Sequence, residues 1–264
     1  LSGMYPDALV QTSLYSADLV DPEFRNLNVS TSFMQKLPGV FRHHRWYLPI
    51  YPLAFHLLDL HGYDVVISNA SAFCKSIRTP SNTLHVCYCL TPTRFVWNPD
   101  EYLERETVSP AVRSLVRPLL AMMRAWDLRS ARRVDRFVAI SRVVADRIRQ
   151  FYGRDSEVIF PPVATGTLKP TSSIDDYFLV VSRLAPYKRI DLAVRACTEL
   201  GLRLKVIGSG RDRPALERMA GPTVEFLGWQ EDDVVRHHFA SCRALIFPGE
   251  EDFGITPVET QAAG

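Results

Sequence analysis

The sequence predicts an α/β protein made of two doubly wound domains, each a parallel sheet with helices on both faces. Three observations carry this expectation. At 264 residues the chain suits two domains of roughly 100–150 residues each. Short apolar runs alternate with helical patterns through the second half, the signature of βαβ units on a parallel sheet. Between the halves lies FPPVATGTLKPTSS, rich in Pro, Thr and Ser, which reads as a linker. The expected division is residues 1–162 for the first domain, 163–175 for the linker and 176–264 for the second domain.

Each element follows from its pattern. In the first half Asp64–Ser68, Leu84–Tyr88 and Phe137–Ile140 read as strands. Pro110–Arg133 reads as a helix whose core face carries Leu115, Leu119, Met122, Met123 and Trp126, with Pro118 kinking or splitting it. In the second half the strands are Tyr177–Ser182, Leu204–Ile207, Val224–Leu227 and Ala244–Phe247. The helices between them are Asp191–Leu200, Pro214–Ala220 and Asp232–Ser241. Continuously apolar strands such as FLVV and ALIF suit a sheet covered on both faces.

Composition narrows the function classes. A hydrophobic share of 47% with 23% charged residues is that of a globular chain, and a net charge of +2 gives no general pull toward nucleic acid. The charge is uneven. Arg113, Arg117, Arg124, Arg129, Arg132, Arg133, Arg136, Arg142 and Arg147 crowd one stretch. They read as solvated helix faces or, in the sharper reading, as a 113–149 surface resting on anionic lipid headgroups or a phosphorylated acceptor. Five cysteines without C-x-x-C spacing imply neither a zinc site nor a disulfide framework and fit a reducing, cytoplasmic setting. No apolar run approaches the ~20 residues of a membrane span, and the opening LSGM is no signal peptide. The chain does not begin with Met, so the reading expects it to be incomplete.

The closing segment, PGEEDFGITPVETQAAG, carries the chemistry. Glu251 falls in the loop after a strand and Glu259 inside the next helix, with Pro257 expected at its first position. Gly254 lets backbone N–H groups come close to a ligand, and a helix N-terminus favours an anion. Arg183 and Lys188 occupy the loop after the second domain's first strand, where Arg grips a diphosphate by paired bonds and Lys as a point charge. Gly208 and Gly210 make a tight turn after the next strand. Arg213 stands where a dinucleotide fingerprint needs a third glycine, which argues against nicotinamide and flavin enzymes.

SRLAPYKRID, VIGSGRDRPAL, VEFLG and FPGEEDFGITPVETQAAG, in this order and at these intervals, resemble group 1 glycosyltransferases, the retaining family 4 of GT-B fold, which has two Rossmann-like domains facing across a cleft. In the first half YDVVISNASAFCKSIRTP, CYCLTPTRFVW and VDRFVAISRVVADRIRQFYGRDSEVIFPPV are similar to the acceptor-side domain of bacterial members that build lipopolysaccharide or other surface polysaccharide. The resemblance runs from about Tyr63 to Gly264. It implies a cytoplasmic enzyme, in the sharper reading of its basic stretch peripheral at the inner membrane face, moving a hexose from a nucleotide-diphosphate sugar onto a lipid-linked or polysaccharide acceptor with retention. GDP-mannose is the donor expected from the CYCLTPTRFVW segment. The resemblance further implies that Arg183 and Lys188 neutralise the leaving diphosphate, that Glu259 binds the ribose hydroxyls, and that Glu251 lies beside the transferred sugar. Gly208 and the amides of Phe253, Gly254, Ile255 and Thr256 complete the donor site. Breaking a glycosyl–phosphate bond leaves positive charge on the sugar and negative charge on the leaving group, and such a set of charges answers both. No Asp-x-Asp occurs in the chain, so no metal is expected to hold the diphosphate, and no cofactor is implied.

The sequence departs from the family pattern at Leu90, which stands where relatives often carry a histidine, in Cys-His-Thr-Pro. His85, earlier on the same strand, reads as a core residue, and the pairs His43/His44 and His237/His238 as structural or exposed. A complete relative would also begin with a strand and glycine-rich loop and continue beyond Ala-Ala-Gly, so the resemblance implies a GT-B chain incomplete at both ends. Two alternatives remain open at this point: a nucleotide-sugar epimerase of the same fold, and a non-catalytic partner subunit that only binds nucleotide sugar.

Overall fold

The structure, a computed structural model, describes residues 3–99 and 110–264, and for Glu23, Arg45 and residues 110–114 the backbone alone. The chain divides into two compact units, the first closing at Phe160 and the second running Pro161–Gly264. Within the stretch 163–175, residues Thr165–Thr167 form a 3-10 turn and Leu168 packs into the second unit's core.

In the first unit a parallel sheet runs in the order β3 (Val65–Ala70), β4 (Leu84–Cys89), β5 (Arg136–Ala139), β6 (Glu157–Val158). The chain pairs Val65 with Leu84 and Val86 with Arg136. A small parallel pair, β1 (Val10–Thr12) with β2 (Val29–Thr31), precedes it. Short helices α1 (Val40–His43), α2 (Tyr51–His56) and α3 (Arg94–Trp97) connect to the long α4 (Pro110–Ala131) and to α5 (Arg142–Tyr152). The limits of α5 are set locally. Ser141 Oγ accepts from Val144 N at 3.2 Å, Gly153 ends the helix at φ 62°, and Val144, Ile148 and Tyr152 recur every four residues on its buried face. Cys87 and Cys89 alternate with solvent-side neighbours, so both enter the same core. On the opposite face Val65, Ile67 and Leu84 are exposed.

Helix α4 corrects two expectations. It runs unbroken through Pro118. Of its expected core face, Met123 is buried and Leu119 packs on the same cluster, while Leu115 is 79% exposed and Met122 58%. Asp127, Ser130 and Ala131 turn inward beside Met123. Asp127 gives this buried face its polar side. Its carboxylate accepts from Lys75 Nζ (2.5 Å), Thr93 Oγ1 (3.1 Å), Trp97 Nε1 (2.7 Å) and Tyr152 OH (2.8 Å). Lys75 is 1% exposed and also donates to the Ala72 carbonyl at 2.8 Å. One buried ion pair thus ties the loop after β3, the loop after β4, α3, α4 and α5 together. The expected basic surface is likewise partly spent on the fold. Arg124 donates to the Val96 carbonyl and lies over the Trp97 ring, Arg133 donates to the Ser76 carbonyl, and Arg149 pairs with Asp155. The side chain of Arg113 lies outside the described residues.

His85 is fully buried on β4, with Nε2 2.9 Å from Ser68 Oγ and its backbone N–H donating to Asp135 at 2.8 Å. Burial pushes its pKa down from 6.5 to about 4, against the pull of Asp135. The folded state therefore holds the ring neutral, while the unfolded chain takes up a proton first as pH falls. The stability this contributes is complete above pH 6.5 and is lost between there and pH 4, by about 3 kcal/mol. Urea unfolding at pH 7 and pH 4.5 should show the loss, and His85→Gln should remove that part of the slope.

The second unit is a four-stranded parallel sheet in the order β10 (Ala244–Leu245), β7 (Phe178–Val181), β8 (Leu204–Ile207), β9 (Val224–Gly228). Both faces are covered. Val180, Val194, Val206 and Leu216 pack on one side with α6 (Ile190–Leu200) and α7 (Arg213–Met219). Leu179, Ile207 and Phe239 pack on the other with α8 (Asp232–Ser241) and α9 (Ile255–Ala263). His238 is structural: its Nδ1 lies 2.8 Å from Tyr177 OH, which also meets Ser241. The carboxyl ends of all four strands open on one edge, where open parallel sheets take their ligands.

Candidate functional site

Three loops are laced together at that edge, and glycines permit the lacing. A Cβ on Gly208 would sit 1.9 Å from the Ser182 carbonyl oxygen, and one on Gly210 2.0 Å from that of Leu184. These glycines are needed because the β8 loop lies directly on the β7 loop, so Gly208 shapes the site through packing. Gly249 plays the same part on the other side, where its Cβ would come 2.8 Å from the Lys188 carbonyl oxygen.

That last approach brings Lys188 to Glu251. Lys188 Nζ donates to Glu251 Oε1, and the two side chains are 19% and 21% exposed. Lys188 closes the 3-10 turn Pro186–Lys188, and its ammonium lies over the Tyr187 ring at 5.3 Å. The next residue, Arg189, takes φ 55°, the one left-handed non-glycine among the described residues, and pairs with Asp191 at 3.1 Å. Residues 180–182, Lys188, Ile190, residues 246–249 and Glu251 line a small recess with room for about one water-sized group, about 10 Å³. Arg183 is exposed at the rim, and no carboxylate holds it among the described residues.

Helix α9 starts at Ile255, two residues earlier than expected, which puts Pro257 in the third position of its first turn. There the missing N–H costs nothing, since first-turn donors have no helical partner. Gly254 takes φ 83° as the N-cap and no side chain caps the helix. The amides of Gly254, Ile255 and Thr256 thus end a helix whose dipole favours an anion. Glu259 lies farther along this helix, apart from the Lys188–Glu251 pair. Burial pushes its carboxyl pKa up, Asp232 adds to the rise and Arg236 opposes it. Its neighbours therefore come from α8, and Arg236, bonded to Asp233 at 2.6 Å, is a site neighbour that sequence reading missed. The i,i+4 spacing of Asp232 and Arg236 was the available signal.

In the first unit Leu90 follows β4 and its N–H donates to the Ala70 carbonyl at 2.8 Å. His85 lies five residues away on an extended strand, roughly 16 Å, and buried, so it does not stand in for a histidine at Leu90. Among the described residues no three His, Cys, Asp or Glu side chains gather as a metal site would need. No helix among them is long and apolar enough to cross a membrane.

Residues 169–264 match the family described as Glycosyl transferases group 1. No curated protein matches the chain. Among solved structures, Anabaena HepE in complex with UDP has a TM-score of 0.66 at 17% identity, over 99% of this chain and 72% of its own. Sucrose-phosphate synthase from Thermosynechococcus elongatus has a TM-score of 0.62 at 14% identity, over 93% of this chain and 65% of its own. TarM reaches a TM-score of only 0.47 at 15% identity, and the chain spans 30% of its length. At these identities the first two likenesses bear on the fold.

Proposed function

We propose, for a chain whose residues 169–264 are a group 1 glycosyltransferase domain and whose fold is GT-B, that it transfers a sugar from a nucleotide-diphosphate donor held on the carboxyl-edge loops of the second unit. The observation that carries this is the convergence of Lys188, Glu251 and the uncapped N-terminus of α9 at one edge. Lys188, Arg183 and the amides of Phe253, Gly254, Ile255 and Thr256 meet the diphosphate and sugar oxygens, and stabilise the charge that collects on the leaving group. Glu251 stands by the anomeric carbon as positive charge develops. Glu259, partly desolvated, accepts from the ribose hydroxyls.

Retention, a hexose donor and a lipid-linked or polysaccharide acceptor follow from the resemblance to family 4. GDP-mannose is the first donor to try, with UDP-sugars beside it because the HepE structure holds UDP. The chain holds no Asp-x-Asp, and the cations of the β7 loop and the helix N-terminus can meet the diphosphate, so transfer without a metal is proposed. A peripheral contact with anionic membrane would use the 113–149 region, where Leu115, Met122 and Arg129 recur every seven residues on an exposed face of α4. Leu90 favours one second reading, a subunit that binds nucleotide sugar without turnover.

The test is a thermal-shift screen against UDP, GDP, ADP and their sugar conjugates, since a ligand of the folded state alone raises Tm. A shift from one nucleotide family, lost in Arg183→Ala and Glu259→Ala, is the expected result. No shift from any of them with folded protein would remove the proposal. Hydrolysis of the bound donor would exclude the non-catalytic reading.

A further inference from the structure

Away from the donor site, cations gather on the first unit with no carboxylate among the described residues paired to them. Arg133 follows the end of α4 and donates through Nη2 to the Ser76 carbonyl (3.2 Å) and to Ser130 Oγ (3.3 Å). Its Nε is buried and has no hydrogen-bond partner. His56, at the end of α2, stands edge-on to Trp126 with ring centroids 5.8 Å apart. His56 Nδ1 and Trp126 Nε1 are both buried and likewise without a partner. Arg78, two residues after Ser76, is exposed and forms no ion pair among the described residues. Burial lowers the His56 pKa, the Ser76 backbone opposes by hydrogen bonding, and the charges of Arg133 and Arg78 lower it further. Arg78 also acts on Arg133 in the same sense.

Buried polar atoms are nearly always paired, and each exception calls for a partner. Three orphaned nitrogens beside two guanidiniums that repel one another describe a place made for negative charge. We propose that Arg78, Arg133 and His56 form an anion site for a phosphate group, distinct from the donor site of the second unit. Arg78 reaches it from solvent and Arg133 from the core side. His56 joins as a donor once protonated, which a bound anion favours. A phosphate monoester or diester is the ligand class, since Arg78 offers a forked donor to tetrahedral oxygens and Arg133, whose Nη atoms already donate to Arg129, Ser76 and Ser130, adds its charge beside it. The phosphate belongs either to a lipid headgroup or to a soluble molecule. Leu53 and Leu57, exposed beside His56, would lie against acyl chains in the first case.

The readout is the His56 imidazole itself, followed by long-range proton–nitrogen NMR during titration with inorganic phosphate. Vesicles of phosphatidylglycerol and of phosphatidylcholine form the second arm. The expected result is a rise in the His56 pKa that saturates with phosphate and is at least about tenfold weaker in Arg78→Ala, the loss of one charge-assisted contact. Arg78 is exposed and makes no hydrogen bond or ion pair among the described residues, so that variant is expected to remain folded. A response to phosphatidylglycerol vesicles lost in Arg78→Ala assigns the phosphate to lipid, and a response to free phosphate alone assigns it to a soluble ligand. If neither phosphate nor phosphatidylglycerol moves the His56 resonance, or if Arg78→Ala responds as the parent does, the orphaned nitrogens are satisfied by water and the site does not exist.

Discussion

Asp127→Ala is expected to destabilise the first unit by about 3–5 kcal/mol, because it leaves a buried lysine without its counter-charge. Lys75 is 1% exposed, and its nearest carboxylate is Asp127 at 2.5 Å. Burial lowers the pKa of Lys75, yet the Asp127 carboxylate bonded to its ammonium outweighs burial, and the pKa is raised overall. Burial also drives the Tyr152 phenol upward, so Tyr152 acts as a neutral donor and Asp127 supplies the charge. Removing the carboxylate strands four donors at once: Lys75, Thr93, Trp97 and Tyr152. Chemical denaturation of the variant measures the loss. The double variant Lys75→Met, Asp127→Leu should recover only the part due to the unpaired charge, since Thr93, Trp97 and Tyr152 still lose their acceptor. A single variant as stable as the parent would show that water reaches Lys75. The pair also bears on the loop after β4. Thr93 closes the segment that begins at Leu90, so a folded double variant would test whether that segment needs its anchor.

What the sequence made legible follows from the range of the forces involved. Strand β8 and helix α8 fall where expected, at Leu204–Ile207 and Asp232–Ser241. Their apolar runs and turn residues are local, and both faces of the second sheet are buried, so burial and pattern agree. Helix α4 defeated the same reasoning in part, because Leu115 and Met122 look like core by spacing. The polar side of its buried face is Asp127, whose partner Lys75 lies 52 positions away. A buried ion pair has no local signature, and each member alone reads as a solvated charge. The candidate site divides in the same way. Glu251, Glu259, Lys188 and Gly254 were visible as residue types beside strand ends and a helix start. That Lys188 is held by Glu251, and that Gly208 is a packing glycine, depend on how one loop lies on another. Only the folded chain shows that.

Glu251→Gln and Lys188→Ala are expected to part company, and their difference tests how the donor site works. In the structure Lys188 is bonded to Glu251 in a pair about four-fifths buried. On the proposed function, a donor diphosphate would have to take the ammonium from that carboxylate before Lys188 could neutralise the leaving group. Glu251→Gln removes the competitor. Binding of GDP or UDP should hold or tighten, while turnover falls by about 10²-fold or more as the sugar loses its carboxylate. Lys188→Ala should weaken nucleotide-diphosphate binding and also lower kcat by about 10²–10³-fold, as expected when a charge-stabilising donor is removed. Calorimetry with GDP and UDP gives the first quantity, and steady-state transfer the second. The double variant then gives the coupling between the two residues. If Glu251→Gln weakens nucleotide binding as much as Lys188→Ala does, the carboxylate is orienting the lysine for the diphosphate rather than competing for it. The ion pair would then be part of the assembled donor site and not its resting state.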